Sequence, residues 1–306
     1  MKASKFLIVI AGPTASGKTA MAVQLAKWLK CQVISGDSRQ FYRELSIGTA
    51  KPSAQEMDGV KHHFIDCISV EQEFSAGRFE VAVLELLPEI FSTSDFAILV
   101  GGSGLYIQAV CQGMNDTPIV GPDFRRALYE ELKAHGLSVL LEELRTKDPV
   151  YYESVDRNNP QRIIRALEIC RGSGMPYSSF RTDQRAERDF NIIKIGLNLP
   201  REELFRRIDE RMDQMLKDGL FEEAKSMYPF RHLNALKTVG YTEIFNFLDG
   251  QYDETEMIRL LKRNSRKYAK RQLTWFSKDQ EYSWFHPQDF NGIINHIQQK
   301  TNQVKQ

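Results

Sequence analysis

The chain has 306 residues, of which 42% are hydrophobic and 26% are charged, and its formal net charge is +1. This is the composition of an ordinary soluble globular protein; the length predicts two domains or one domain with a large insertion, and the overall charge points to no partner. The four cysteines include no C-x-x-C pair, which argues against a zinc site or a disulfide framework, so we expect free thiols in a reducing cytoplasm.

The first third of the chain alternates short apolar runs with helical patterns. The runs at residues 6–11, 32–35 and 96–100 are typical of buried parallel strands, and apolar residues recur at helical spacing in 19–30 and 79–87. We expect the second of these helices to end before the proline that follows it. This alternation predicts an α/β fold in which helices flank a doubly wound parallel sheet.

No segment has the pattern of a membrane or export signal. The apolar run at 6–11 is shorter than the core of a signal peptide, and no later stretch reaches the length of a membrane span. We therefore expect a cytoplasmic protein without a membrane partner.

A change of pattern after the first third predicts an insertion. Residues 115–122 are rich in turn formers, and residues 191–199 return to a strand pattern. Between them lie three amphipathic helical patterns, at 124–134, 139–146 and 161–171. We expect a helical insertion domain at 116–190 inside an α/β core built from 1–115 and 191–306, with a helical C-terminal part.

The strongest motif is GPTASGKT, which matches the phosphate-loop pattern G-x-x-x-x-G-K-[ST] between a predicted strand and a predicted helix. Its glycines allow backbone N–H groups to point inward, and the helix that follows directs the positive end of its dipole to the same point. The Lys18 charge would serve the outer phosphates, and the Thr19 hydroxyl would bind Mg²⁺. The predicted phosphate-binding residues are Gly12, Pro13, Thr14, Ala15, Ser16, Gly17, Lys18 and Thr19.

This loop is typical of nucleotide-binding and ATP-binding proteins, but it indicates a polyphosphate rather than ATP in particular. A prenyl diphosphate offers the same two phosphates and the same need for magnesium. No aspartate ends the predicted strand at 96–100, so the carboxylate typical of motor-type NTPases is missing there.

Two polar residues follow predicted strands, where ligands of parallel α/β sheets gather. Asp37 follows the strand at 32–35, and Ser103 follows the strand at 96–100. Asp37 has three possible roles: a magnesium ligand acting through water, a general base, or only a cap of the next helix. The Ser103 hydroxyl has two, a contact to a ligand or an N-cap.

Several cations have both a binding role and a structural role open to them. Arg162 and Arg165 share one face of a predicted helix, and Arg211 lies on a helix whose Met212 indicates packing on the core. Residues 259–278 contain eight lysines and arginines interleaved with aromatic residues, a mixture that suits RNA. The alternative for this segment is a helix paired with acidic residues nearby, such as those in 249–256.

Together these segments resemble the bacterial tRNA dimethylallyltransferase family, also called tRNA isopentenyltransferases. They follow the order of that family nearly from end to end. The matching segments are GPTASGKT (12–19), GDSRQFYRELSIGTAKP (36–52), HHFID (62–66), VGGSGLYIQA (100–109), NNPQRIIRALEI (158–169), ERMDQML (210–216), KTVGY (237–241) and KRQLTWF (270–276).

The resemblance implies transfer of a dimethylallyl group from dimethylallyl diphosphate to the exocyclic N6 of the adenine 3′ of the anticodon in tRNA, with Mg²⁺ as cofactor. It implies that Asp37 takes the N6 proton and that Arg211 holds the diphosphate. Ser103 stands where the family usually has threonine and keeps the hydroxyl, so it is the third catalytic candidate. The implied tRNA-binding residues are Asp37, Ser38, Arg39, Gln40, Ser103, Arg125, Gln161, Arg162, Ile163, Ile164 and Arg165.

The expected partners are therefore the tRNA anticodon stem-loop and dimethylallyl diphosphate, and a monomer is the default assembly. Three other functions share the phosphate loop: an ATP-dependent small-molecule kinase, an adenylate isopentenyltransferase that acts on free AMP or ADP, and a non-catalytic RNA-binding NTPase switch. A kinase does not need the basic aromatic segment at 259–278, and the resemblance over the whole chain favours the tRNA enzyme over all three.

Overall fold

The computed structural model describes residues 4–181 and 185–305 of the chain. The chain divides into two compact units, the first made of Met1–Gly113 and Glu187–Gln306 and the second of Met114–Ala186. The first unit contains a parallel sheet flanked by helices, and the second is built from helices, which confirms the predicted α/β fold with a helical insertion. Within the described residues, no helix combines the length and the apolar character that crossing a membrane requires.

The sheet of the first unit has six strands, and all neighbouring strands are parallel. The strands are β1 (Phe6–Ala11), β2 (Val33–Ser35), β3 (His62–His63), β4 (Phe96–Gly101), β5 (Asn191–Leu197) and β6 (Ser283–Phe285). They lie in the order β3-β2-β4-β1-β5-β6. Since Ala11 is level with Gly101 on one side and Gly196 on the other, the carboxyl ends of the three central strands lie at the same edge.

The helices of the described residues fall into three groups along the chain. Before the insertion are α1 (Lys18–Leu29), α2 (Ala54–Met57), α3 (Ala76–Thr93) and α4 (Gly104–Gln112). In the insertion are α5 (Pro122–His135), α6 (Leu137–Lys147), α7 (Pro149–Ser154) and α8 (Pro160–Ser173), followed by a short 3₁₀ helix at Tyr177–Phe180. After it are α9 (Arg201–Lys217), α10 (Leu220–Met227), α11 (Tyr241–Leu248), α12 (Glu254–Phe276) and α13 (Phe290–Lys305), with 3₁₀ helices at Tyr228–Phe230 and Asn234–Leu236.

Helices cover both faces of the sheet because alternate residues of each strand point to opposite sides and both sets are apolar. Leu7 and Val9 of β1 pack on the side of α3 and α4, whereas Phe6 and Ile8 pack on the side of α1 and α13. These four side chains are at most 1% exposed. In a further apolar cluster, helices α9, α10, α11 and α12 pack against the segment that follows β2. Tyr241 is fully buried in this cluster.

The second unit has an apolar core of its own. Leu128, Leu140 and Leu167, from three different helices, are fully buried in it. Arg171 joins the same helices from outside this core, because its guanidinium donates to Glu131 at 2.7 Å and to Glu143 at 2.5 Å.

The prediction that the second helix ends before Pro88 was wrong. Helix α3 runs through Pro88 to Thr93. Pro88 is exposed, while Val83, Leu87 and Ile90 are buried on one face of the helix. Burial of apolar side chains on both sides of the proline offsets the cost of about 3 kcal/mol that proline brings to a helix interior.

The two edge strands were not predicted, because two or three residues are too few to show an alternating pattern. Long-range contacts form them instead. For β6, Lys194 in β5 donates to Asp279 and Glu281 at 2.7 Å each, in the turn that leads into the strand.

The ends of β2 and β4 approach too closely for side chains. A Cβ on Gly101 would lie 2.3 Å from the carbonyl oxygen of Gly36. The Gly36 N–H also donates to the Val100 carbonyl at 2.7 Å. Because Asp37 directly follows Gly36, this contact determines where the Asp37 backbone lies.

Replacing Gly101 with alanine is expected to lower the free energy of unfolding by about 1–3 kcal/mol, because the clash is with backbone that cannot turn away. Gly77→Ala is the matched control, since a Cβ on Gly77 would meet nothing within 4 Å and α3 would gain a better helix former. Urea unfolding followed by circular dichroism measures both. Equal stability of the two variants would contradict the close approach of β2 and β4.

Candidate active site

The predicted phosphate loop lies between β1 and α1, at the carboxyl edge of the sheet. Ala15 and Gly17 have φ values of 62° and 84°, in the left-handed region. Gly12 has no room for a side chain, because a Cβ there would lie 2.4 Å from the Leu197 carbonyl oxygen of the neighbouring β5. The backbone thus adopts the curled form that allows N–H groups to surround an anion.

One polar side chain of the loop is buried and another is half-buried. Ser16 is fully buried, and its hydroxyl has no hydrogen-bond partner within the described residues. The Lys18 ammonium donates to the Pro13 carbonyl at 2.5 Å. Burial and then the charge of Arg211 lower the pKa of Lys18 to about 7, and Asp37 opposes this shift. An anion in the loop would supply the partner and the negative charge that these groups need.

Arg211 extends from α9 to the same loop. Its Nη1 donates to the Thr14 hydroxyl at 3.4 Å, while the next residue, Met212, is buried and holds the helix on the core. Burial lowers the pKa of Arg211, and the nearby Asp37 opposes this. The structure therefore places two cations and one carboxylate together, and the role of Arg211 on a diphosphate stays a prediction.

Asp37 does not cap a helix, because the next helix of the described residues, α2, begins only at Ala54. One carboxylate oxygen instead accepts a hydrogen bond from the Arg39 N–H at 3.0 Å, within a turn. The residue also lines a cavity together with Lys18, Thr19 and Arg211. The turn bond fixes the direction of the carboxylate, and the cavity gives it access to a ligand.

Ser103 contacts the Asp37 turn rather than its own helix. Its hydroxyl accepts from the Ser38 N–H at 2.9 Å and donates to the Ser38 hydroxyl at 3.0 Å. The N-cap contact considered for Ser103 is not formed, because the hydroxyl makes no bond to the first turn of α4. Ser103 thus holds the residue beside Asp37 in place.

Gln272 of α12 is a site residue that the sequence analysis missed. Its side-chain oxygen accepts from the Thr14 N–H at 2.8 Å, and its side-chain nitrogen donates to the Gly102 carbonyl at 3.0 Å. A single buried amide therefore joins the phosphate loop to the turn after β4. The available signal was spacing: the buried residues of α12 recur three or four positions apart, which places a polar Gln272 on the apolar face.

These groups surround one cavity, the phosphate cavity, of about 1060 Å³ including its mouths. Lys18, Thr19, Asp37 and Arg211 form its polar end. Its other lining side chains include the apolar Ile208, Met212, Met215 and Val239. The cavity thus suits a ligand with an anionic group and a short apolar chain.

The phosphate cavity continues into a neighbouring cavity on each of two sides. An outer cavity, which includes Ile47, Lys51 and Arg207, shares Lys18, Ala50 and Arg211 with it. A basic-aromatic cavity shares lining residues with it on the other side, among them Tyr268 and Gln272. The remaining lining of the basic-aromatic cavity includes Ser38, Tyr106, Lys237, Lys267, Arg271 and Trp275. Two different molecules can therefore reach the same centre from two sides.

The basic residues of α12 divide between the two roles considered for them. Arg259, Lys262 and Arg266 pair with acids, which are Glu256, Asp213 and Asp209 respectively. Two of these acids come from α9 rather than from the acidic segment 249–256. By contrast Lys267, Arg271 and Trp275 are exposed and line the basic-aromatic cavity.

The other residues predicted to bind tRNA near Asp37 also lie at the cavities. Ser38 and Arg39 line the basic-aromatic cavity. The Gln40 amide, however, donates to the carbonyls of Thr49 at 3.3 Å and Ala50 at 3.2 Å. Its side chain therefore supports the cavity wall.

The predicted tRNA contacts at Arg125 and in 161–165 belong to the second unit. Ile163 and Ile164 are buried in its core, which leaves only their backbone for a contact with RNA, and the tRNA contact at both stays a prediction. Arg125 and Arg165 both donate to the Glu168 carboxylate, at 3.0 and 3.2 Å. The Gln161 amide accepts from the Tyr129 hydroxyl at 2.8 Å, and Arg162 is exposed.

The described residues contain no group of three or more His, Cys, Asp or Glu side chains that could hold a metal ion by themselves. A magnesium ion that bridges substrate phosphates needs fewer protein ligands. Thr19 and Asp37 line the phosphate cavity together and offer a hydroxyl and a carboxylate. The donor set fits a hard cation held largely by its substrate.

Comparison with known proteins agrees with this geometry. The model of a family described as IPP transferase matches residues 40–279. The tRNA dimethylallyltransferase of Cytophaga hutchinsonii is 53% identical over 97% of this chain and 98% of its own length. The tRNA dimethylallyltransferase 2 of Parabacteroides distasonis is 48% identical over 96% of this chain and 98% of its own length.

Solved structures of tRNA prenyltransferases also resemble this chain. The tRNA isopentenylpyrophosphate transferase of Bacillus halodurans matches with a TM-score of 0.72 and 38% identity, covering 99% of this chain and 100% of that one. A eukaryotic dimethylallyltransferase acting on tRNA matches with a TM-score of 0.80 and 27% identity, covering 97% of this chain and 77% of that one.

Gln272→Met is expected to weaken the binding of inorganic pyrophosphate and to lower the free energy of unfolding, by about 1–3 kcal/mol for each polar group left without a partner. The substitution keeps the size of the side chain but leaves the Thr14 N–H and the Gly102 carbonyl unpaired. Gln299→Met, on the exposed side of α13, is the control. Isothermal titration and thermal unfolding report the two effects; unchanged values for both would show that the bridge does not hold the loop.

Proposed function

Because the chain belongs to the IPP transferase family, we propose that it transfers a dimethylallyl group from dimethylallyl diphosphate to N6 of the adenine 3′ of the anticodon in tRNA. One observation carries the proposal: a phosphate loop, a carboxylate and an apolar wall line the same cavity. The products are N6-isopentenyladenosine in tRNA and diphosphate. The chain is thus a tRNA-modifying prenyltransferase.

The cationic end of the phosphate cavity would bind the leaving group. The backbone N–H groups of the loop, with Lys18 and Arg211, carry the positive charge that departing diphosphate needs as the carbon–oxygen bond breaks. The Thr19 hydroxyl would help to hold magnesium, which would supply Lewis-acid stabilisation of the same charge. The prenyl chain would lie against the apolar side chains of Met212 and Met215.

Asp37 would act as the general base for the acceptor, adenine N6. The lone pair of N6 attacks the first carbon of the prenyl group, the bond from this carbon to the diphosphate breaks, and the N6 proton passes to the Asp37 carboxylate. The hydrogen bond from the Arg39 N–H and the Ser103–Ser38 contacts hold this carboxylate in place. Because one carboxylate oxygen is occupied by this bond, the other would accept the proton.

The tRNA would approach through the basic-aromatic cavity. An adenine must leave the stack of its loop to reach a cavity, and Trp275 and Tyr268 offer aromatic surfaces along the way. Burial raises the pKa of Tyr268 to about 12, so its phenol stays neutral there. Lys267 and Arg271 would contact backbone phosphates, and Arg125, Gln161, Arg162 and Arg165 of the second unit would add contacts to the anticodon stem-loop. We propose that the chain acts as a monomer in the cytoplasm.

A transfer assay separates this function from its rivals. Label from dimethylallyl diphosphate should enter tRNA, and AMP should not compete with tRNA as acceptor. Incorporation into AMP in preference to tRNA would indicate an adenylate isopentenyltransferase, and ATP consumption with a small acceptor would indicate a kinase. Either outcome would overturn the proposal.

Asp37→Asn is expected to reduce the turnover number by about 10²–10⁴-fold, because the amide cannot accept the N6 proton. Binding of tRNA should stay close to that of the wild type, since the amide oxygen can still accept the hydrogen bond from the Arg39 N–H. Single-turnover transfer and filter binding measure the two quantities, with Asp95→Asn at the protein surface as control. Near wild-type turnover would exclude Asp37 as the base.

Lys267→Ala is expected to raise the KM for tRNA and to reduce the dependence of log K on log salt by about 0.7–0.9, the value for one lost phosphate contact. The KM for dimethylallyl diphosphate should not change. Arg259→Ala is the control, because this cation lies on the same helix but is neutralised by Glu256. The same salt dependence in both variants would argue against RNA at the basic-aromatic cavity.

A further inference from the structure

Residues 46–51, SIGTAK, form a wall of the phosphate cavity, and we name them the wall segment. Gly48, Thr49 and Ala50 line the phosphate cavity, and Ala50 also lines the outer cavity. Met212 and Met215 line the same phosphate cavity. The position of the wall segment therefore helps to set the space beside the phosphate loop.

One carboxylate from a distant helix holds the first half of the wall segment. Oε2 of Glu223, in α10, accepts from the N–H groups of Ser46 at 2.9 Å and Ile47 at 2.8 Å, and Oε1 accepts from that of Gly48 at 2.9 Å. Three successive N–H groups on one carboxylate form a strong, charge-assisted cluster.

Tyr241 fixes the Glu223 carboxylate by a further hydrogen bond. Its hydroxyl donates to Glu223 Oε1 at 2.6 Å, and burial and then the Glu223 charge raise the pKa of Tyr241, so the phenol keeps the proton that it donates. A Cβ on Gly48 would lie 2.7 Å from the Tyr241 ring. The wall segment therefore has no space to retreat toward α11.

Hydrogen bonds with residues that follow β2 hold the second half of the wall segment. The Gln40 amide donates to the carbonyls of Thr49 and Ala50 and accepts from the Ser35 hydroxyl at 3.0 Å. Lys51 donates to the Tyr42 carbonyl at 2.8 Å. Both ends are thus fixed by separate elements, and this gives a structural role to residues within two of the matching segments, 36–52 and 237–241.

We propose that Glu223, held by Tyr241, is a positioning residue that fixes the wall segment so that the cavity accepts a dimethylallyl chain and excludes longer prenyl chains. The proposal rests on the proposed function. A pocket excludes a longer apolar chain only where its wall cannot move away, since extra methylene groups otherwise add favourable contact. The contacts of Glu223 and Tyr241 prevent that movement.

The test compares dimethylallyl and geranyl diphosphate as donors to tRNA. In Glu223→Gln an amide N–H₂ faces N–H groups of the wall segment, so we expect the KM for dimethylallyl diphosphate to rise about tenfold. The preference in kcat/KM for dimethylallyl over geranyl diphosphate should fall about tenfold or more, and the KM for tRNA should not change. Tyr241→Phe should shift both values in the same direction by less. Glu222→Gln, an exposed neighbour on α10, should match the wild type.

The possible results distinguish failure of the proposed transferase function from failure of the positioning role of Glu223. If wild type transfers neither donor to tRNA, the proposed function fails. If wild type prefers dimethylallyl diphosphate and Glu223→Gln keeps that preference and KM while losing only thermal stability, Glu223 is merely structural and the inference is overturned. If Glu223→Gln does not fold, Tyr241→Phe takes its place, because it keeps the aromatic ring and leaves the Glu223 charge intact. The preference in kcat/KM for dimethylallyl over geranyl diphosphate then decides.

Discussion

The site depends on a close approach of backbone segments at the carboxyl edge of the sheet. A Cβ on Gly12 would meet the Leu197 carbonyl at 2.4 Å, and one on Gly101 would meet the Gly36 carbonyl at 2.3 Å. Since parallel strands end together at this edge, the phosphate loop and the Asp37 turn come to lie around one cavity. The buried amide of Gln272 then joins the loop to the turn after β4. Side chains at these glycines would move the reacting groups apart.

The charges of the cavity follow from this geometry. Burial and then the charge of Arg211 lower the pKa of Lys18, and burial lowers the pKa of Arg211. The Asp37 carboxylate opposes the shift of the pKa of both cations. Such an arrangement costs free energy until an anion neutralises it, and a diphosphate leaving group is such an anion. The carboxylate that remains beside it can then receive a proton from an incoming amine. The wall segment, held by Glu223 and Tyr241, lines the same cavity.

Much of the fold and part of the site could be predicted from the sequence, because local patterns specify them. The phosphate loop, its strand and its helix follow from one continuous motif, and Asp37 from the end of the next strand. Gln272 and Glu223 could not be found in this way, since their hydrogen bonds span 258 and about 176 residues of sequence. Helix α3 runs through Pro88 because tertiary burial outweighs a local signal, and the buried Ile163 shows that a motif match alone does not separate contact residues from core residues.

Our central claim is that the phosphate loop at residues 12–19 holds the diphosphate leaving group beside Asp37, and that the Asp37 carboxylate accepts a proton from N6 of adenine. Mass spectrometry of tRNA nucleosides from cells that lack this chain tests it most directly. We predict that N6-isopentenyladenosine is absent from these cells and returns when the intact chain is supplied. Unchanged N6-isopentenyladenosine in the absence of the chain would contradict the claim.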